Sequence, residues 1–193
     1  MALDNGSVRG MLQWRYPKLV AGYASYHRDL RNRITHFLGI PILLVANIYI
    51  LSVPLLRLDY DVLGLPVSVA LGFHLLSTFV WALFDPLFGL SIGAIFAPFL
   101  WLCVRWTDAL VDVFFFGVSA NVCVFVVLGI VGWSFQLVGH VLEGRRPAFT
   151  DNFLQGFMGA TFLLYEVVTK MGFRAKLAAE VEQELRKLEK DML

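Results

Sequence analysis

Four long stretches of the chain contain no Asp, Glu, Lys or Arg: Phe37 to Leu56, Val62 to Phe84, Pro86 to Val104 and Val113 to Leu142. A helix needs about 20 apolar residues to cross the hydrocarbon core of a bilayer, so each stretch is long enough to span one. The last is longer than a crossing requires, so at least one of its ends must emerge into the interface. Of the 193 residues, 58% are hydrophobic and 16% charged, against roughly 25% charged in soluble domains. The apolar excess lies in continuous runs rather than in the periodic pattern of a core, and this points to membrane helices. A fifth apolar stretch, Asn152 to Tyr165, is shorter and is followed by Glu166 and Lys170. Its length suits a re-entrant or interfacial segment. The predicted fold class is therefore all-α: an integral membrane helical bundle of about four transmembrane helices, a re-entrant or interfacial fifth helix and an amphipathic C-terminal helix. Residues 1–172 are expected to form the membrane domain and 173–193 a charged tail.

Positive charge predicts the sidedness. With four spans, one side holds all of the 16 Lys and Arg except Arg57 and Arg105; a fifth span would divide them evenly. Four spans with both termini cytoplasmic is the expected topology. The net charge of +1 supplies no basic face, so no nucleic-acid partner is expected. Cys103 and Cys123 lie inside apolar runs and read as small buried hydrophobes. The N-terminus shows no apolar leader segment and no small-residue cleavage site. In the tail, Leu177, Val181, Leu185, Leu188 and Met192 make one narrow apolar stripe on a charged helix. Such a stripe suits a solvated helix resting on its own protein, a homo-oligomer contact, or a helix lying on membrane lipid.

Ionisable side chains near membrane segments are costly and therefore functional candidates. The chain has four histidines, His27, His36, His74 and His140. Along the last apolar stretch, Trp133, Gln136, His140 and Glu143 fall within about 80° of one another on a helix, a polar stripe that ends in "EGRRP". Taken alone, that end also suits plain interfacial anchoring, with Trp133 at the headgroups and Arg145 and Arg146 on lipid phosphates. His27 and His36 are nine residues apart, so on one straight helix they would face opposite ways. They converge only if the chain breaks between them, with Asn32 as the expected N-cap of a helix starting at Arg33. Under the four-span topology His27, His36 and His140 share one interface. Three neutral imidazoles could hold Zn, Fe, Ni or Cu, with Gln136, Asn32 and Glu143 near enough to orient the rings through their distal N–H groups. His74 lies midway along its stretch and reads as a bundle-interior histidine bonded to a neighbouring helix. A place in a substrate channel, with Trp133 and Tyr26, is the alternative.

"YHRDLRNRITHFLGIP" followed at a distance by "GWSFQLVGHVLEGRRPAFTDN" resembles the small membrane family of 2-hydroxy fatty acid dioxygenases. The matching positions are Tyr26, His27, Asn32 and His36, then Gly132, Trp133, Gln136, Gly139, His140, Glu143, Arg145, Arg146 and Pro147. The likeness covers roughly residues 15 to 175; the middle spans match in hydropathy and in "DPLFGL". The resemblance implies Fe(II) held by His27, His36 and His140, with O2 and a 2-hydroxy fatty acid as substrates. It implies loss of one carbon from the acyl chain, as in fatty acid α-oxidation and phytosphingosine breakdown. The expected membrane is a bacterial inner membrane or endoplasmic reticulum, between which the sequence does not choose. Arg145 or Arg146 would then hold the substrate carboxylate as a bidentate pair. Four histidines are about half the number in the histidine boxes of di-iron desaturases, and no H-E-x-x-H of a zinc protease occurs. A haem held by two histidines and a non-enzymatic lipid-binding scaffold are the remaining alternatives.

Overall fold

Capping chemistry decides where the helices begin. The computed structural model describes residues 8–62, 64–151 and 155–190; Met192 of the tail stripe and Asn152, which opens the fifth apolar stretch, lie outside them. Helix α1 (Val8–Ser25) ends at a break over residues 26–29, and α2 (Leu30–Leu51) follows at once. Asp29 is its cap, not Asn32: the Asp29 carboxylate accepts the Arg31 N–H at 2.8 Å. The Asn32 side chain is committed elsewhere, donating to the Tyr26 carbonyl and to Glu143, so the start expected at Arg33 moves back by three residues to Leu30.

The second apolar stretch enters its helix late. Strands β1 (Arg57–Val62) and β2 (Leu65–Ser68) pair as an antiparallel hairpin, turning beside Gly64 at φ +75°. Ser68 then caps α3 (Val69–Phe84) by accepting the Leu71 N–H. Asp85 closes α3 and opens α4 (Pro86–Ala109), where Pro86 occupies a position whose missing N–H costs nothing. Helix α4 continues past Val104, and Asp108 near its end pairs with Arg57 at 2.6 Å. A second, very short hairpin, β3 (Phe114–Phe115) and β4 (Val118–Ser119), precedes α5 (Ala120–Glu143). Among the described residues α2, α4 and α5 are long and apolar enough to cross a membrane, and α3 is apolar but shorter. At 16 residues α3 measures about 24 Å, less than the roughly 30 Å hydrocarbon core.

Two cores mark the two ends of the bundle. At one, Tyr16, Val20 and Tyr23 of α1, Met158 and Phe162 of α6 (Gln155–Lys170) and Leu177 and Val181 of α7 (Ala175–Lys190) pack on Phe84 and Phe88 at the α3–α4 joint. At the other, Ile48 and Tyr49 of α2 meet Ala70 of α3 and Leu100 and Cys103 of α4. Helices α2 to α5 therefore alternate in direction, with both hairpins at the end opposite α1, α6 and α7. Outward residues such as Leu75, Phe79, Ile95, Val127 and Ile130 are exposed and form a belt suited to lipid rather than water. Helix α6 packs on α1, α2 and α4 at the first end. It carries Glu166 and Lys170 in its last turns and, at 16 residues, is shorter than the candidate spans. Helix α7 buries its Leu177–Val181 stripe against its own protein. Cys103 and Cys123 are free thiols.

Helices α2 and α5 approach closest where glycine permits it. A Cβ on Gly139 would lie 2.2 Å from Thr35 Oγ1 and 2.3 Å from Asn32 Oδ1, and one on Gly132 would meet Leu43 at 2.7 Å. Small residues at such contacts let membrane helices pack backbone to backbone. This contact brings the last turn of α5 against the first turns of α2.

Candidate metal centre

The break between α1 and α2 holds His27, the second turn of α2 carries His36, and the last turn of α5 carries His140. All three are buried, and one ring nitrogen from each lies within 4.8 Å of the others. The rings meet edge to face, with centroids 4.5, 4.9 and 5.1 Å apart. His27 Nδ1 contacts the Tyr23 carbonyl at 2.7 Å, and His36 Nδ1 contacts the Asn32 carbonyl at 2.9 Å. Both partners sit four residues upstream of their histidine. The two Nε2 atoms face one another at 3.2 Å.

Counting protons tests whether a cation fits. The two carbonyl contacts and the Nε2–Nε2 contact each require one positive hydrogen between their atoms, and two neutral imidazoles carry only two. Burial, aided by the neighbouring histidines, pushes the His27 imidazole down to about 3, which disfavours a third proton shared by the pair. With both Nδ1–H groups donated to carbonyls, two lone pairs converge at 3.2 Å, and a metal ion would satisfy them. Two nitrogens about 2.1 Å from one ion and roughly 100° apart around it are separated by this distance. The third member completes the case. His140 Nδ1 is buried with no hydrogen-bond partner. Three imidazoles converging in this way leave no slot for a porphyrin between any two of them.

Glu143 shapes the centre without touching a ring. Its carboxylate accepts the backbone N–H groups of Arg28 at 3.0 Å and Asp29 at 2.7 Å, and the Asn32 amide at 3.3 Å. It thus fixes the turn that presents His27. Gly144, at φ +69°, closes α5 with the Arg145 N–H on the His140 carbonyl, a closure that glycine adopts readily. The Tyr23 ring stacks on His27 at 4.0 Å with 7° between planes, so Tyr23 holds that imidazole by ring and by carbonyl. Sequence reasoning missed Tyr23, although Tyr23–His27 and Asn32–His36 share the same four-residue spacing.

Beside the histidines opens a cavity of about 390 Å³, lined by Tyr23, Ile40, Leu44, Trp81, Trp133, Gln136, Phe149, Gln155 and Ala160 among others. His36 and Asn47 both border it, which makes it about 16 Å long along α2. Gln136 faces it from α5, one turn below His140. Trp133 lies at its edge, with its ring 6.3 Å from that of Phe149. The remaining candidates stand outside. Arg145 donates to the Ser25 carbonyl at 2.9 Å, and Arg146 pairs with Asp151. Tyr26 donates to the same Asp151 at 2.6 Å. His74 is buried on α3 and does not belong to the cluster of the other three histidines. Gln155, buried at the start of α6, is a further polar residue on the cavity wall that the sequence did not single out.

The family described as 2-hydroxy-palmitic acid dioxygenase Mpo1-like matches residues 15–171. The chain belongs to this family. The matched region takes in α1 from before Tyr23 through the end of α6, and so every residue of the centre, and leaves α7 outside. Among curated proteins, the chain is similar to 2-hydroxy-palmitic acid dioxygenase MPO1 of Saccharomyces cerevisiae, 32% identical over 166 residues, covering 84% of this chain and 85% of the relative. Membership makes this chain an oxidoreductase of the dioxygenase class. No solved structure matches it.

Proposed function

We propose that this protein is an Fe(II)-dependent dioxygenase that cleaves the C1–C2 bond of membrane-dissolved 2-hydroxy fatty acids. The reaction RCH(OH)COOH + O2 → RCOOH + CO2 + H2O balances in atoms and electrons, so it needs neither 2-oxoglutarate nor an outside reductant. The observation that carries this reading is the convergence of His27, His36 and His140, with the Nε2 atoms of the first two 3.2 Å apart and a buried His140 Nδ1 that has no hydrogen-bond partner. Iron, unlike zinc, supplies the redox chemistry that O2 requires. The protein's part is to hold that ion with three neutral imidazoles, two of them fixed by backbone carbonyls.

The cavity supports the substrate class. Its walls are mostly apolar, with Tyr23 and Gln136 as polar groups close to the histidines. An acyl tail fits this lining, while the acid head reaches the metal centre. Arg145 and Arg146 are engaged outside the cavity, so the polar wall beside the histidines takes the head. The bundle end that carries the centre also carries α1, α6 and α7, with almost all of the basic residues. We assign that end to the cytoplasmic face, in a multi-pass arrangement with both termini on that side.

Anaerobic reconstitution with Fe(II), then addition of O2 and 2-hydroxypalmitate, tests the reading by mass spectrometry. One iron per chain and release of pentadecanoate with CO2 are expected. His27→Ala, His36→Ala and His140→Ala should each lose both, whereas His74→Ala should keep its iron. A strong Soret band, or an unchanged product yield in any of the three, would sink the assignment.

A further inference from the structure

A second cavity, of about 470 Å³, lies across α2 from the first, between α2, α4, α5 and α6. Every residue of its lining is apolar, from Phe37 and Val45 on α2 to Phe96 on α4, Leu128 on α5 and Leu164 on α6. Nothing in it can hold a carboxylate, a hydroxyl or a metal, and burying such a group there without a partner would cost several kcal/mol. Its chemistry admits an alkyl chain.

The two cavities share a wall. Ile40, Leu44 and Ala160 line both. Ile40 stands one helical turn beyond His36, so the wall begins directly beside the metal centre. It is also thin: Ile40 lies across α6 at a residue without a side chain, where a Cβ on Gly159 would come within 2.9 Å of Ile40 Cδ1.

We propose that the second cavity is the distal part of the acyl-chain site, and that Ile40, Leu44 and Ala160 set the length of chain accepted. This rests on the reading of the substrate as a 2-hydroxy fatty acid. The head stays at the histidines, the proximal methylenes fill the first cavity, and the distal methylenes of longer chains pass the Ile40–Ala160 wall. The wall it shares with the cavity that contains the histidines favours the substrate's own tail over the tail of a bystander lipid.

The test compares saturated 2-hydroxy acids of 12, 16, 20 and 24 carbons in wild type, Ile40→Ala, Leu44→Ala and Ala160→Phe. Two measurements are made: kcat/KM for chain shortening, and ligand-induced thermal shift under anaerobic conditions. A tail already dissolved in hydrocarbon gains nothing by leaving water, so the wall discriminates by shape, and a chain pressed against packed side chains is disfavoured about tenfold. Opening the wall in Ile40→Ala or Leu44→Ala should therefore raise the ratio of 20- to 12-carbon kcat/KM by about tenfold. Ala160→Phe should lower the same ratio. Variants that keep their iron yet show the wild-type length profile in both measurements overturn the proposal and leave the second cavity to membrane lipid. If the wild type binds the acids with a length preference but shortens none, the functional reading fails while this one is still decided by the thermal shifts.

Discussion

Two donors from the turn that carries His27 and one from the first turn of α2 converge on one carboxylate, that of Glu143. Two are backbone N–H groups, which require an acceptor, and a carboxylate offers two oxygens to them. Glu143→Gln keeps the size but turns one end into a donor, so one of those N–H groups faces an N–H. The turn should loosen and His27 should lose its fixed position. Outer supports of this kind typically contribute 10–100-fold to metal affinity. We therefore expect Glu143→Gln to bind Fe(II) about 10–100-fold more weakly, read by competition with a chromophoric chelator, while circular dichroism shows an intact bundle. Wild-type affinity would remove Glu143 from the support of the centre. At this scale the sequence was informative about which side chains matter and silent about what turns the rings. Gln136, Asn32 and Glu143 stood out as polar residues on apolar helices, but the distal N–H groups of His27 and His36 go to the carbonyls of Tyr23 and Asn32. Every residue carries a carbonyl, so composition cannot single out the two that serve.

The α2–α5 contact is what brings His36 and His140 together, and it depends on a side chain being absent. In Gly139→Ala the new methyl would meet Thr35 Oγ1 and Asn32 Oδ1 inside 2.5 Å, so the helices must separate. Overpacking of this kind costs about 1–3 kcal/mol, and the shift displaces His140, the next residue. Gly129 lies on the same helix with nothing within 4 Å of an added methyl, and alanine there removes only glycine's helix penalty of about 1 kcal/mol. Thermal unfolding in detergent should show Gly139→Ala melting earlier with reduced iron, and Gly129→Ala melting at the wild-type temperature or later. Equal behaviour would mean the close approach is not what sets the site. The elements themselves were largely legible: uncharged runs located α2 to α5. Their ends were not, because an apolar count runs straight through "VLGLPVS" and "FFFGVS", where turns at Gly64 and Gly117, both at positive φ, make hairpins instead of helix. The glycines were visible in the sequence, but charge counting gives them no weight.

At the scale of the whole molecule, the arrangement of charge and the position of the centre are one fact. Arg57 and Arg105 lie at the hairpin end, and the other basic residues of the described chain lie at the end with α1, α6 and α7. A substrate whose acid head stays at the headgroups and whose tail stays in hydrocarbon can meet a metal only near an interface, and His27, His36 and His140 sit at the basic one. The positive-inside rule then predicts a cytoplasmic face for the proposed chemistry. Single cysteines test it directly. Tyr60, on the first hairpin, is exposed, and the Lys176 side chain on α7 is 92% exposed, while the native Cys103 is buried and Cys123 lies within an apolar span. In sealed cells, a membrane-impermeant maleimide should label Tyr60→Cys, and should label Lys176→Cys only after permeabilisation. The short α3 makes this more than a formality, since at about 24 Å it crosses only if the bilayer thins or the β1–β2 hairpin completes the passage. Labelling of both cysteines from the same side would mean either that α3 does not cross or that α6 makes a fifth crossing. In both cases the four-span assignment would fall.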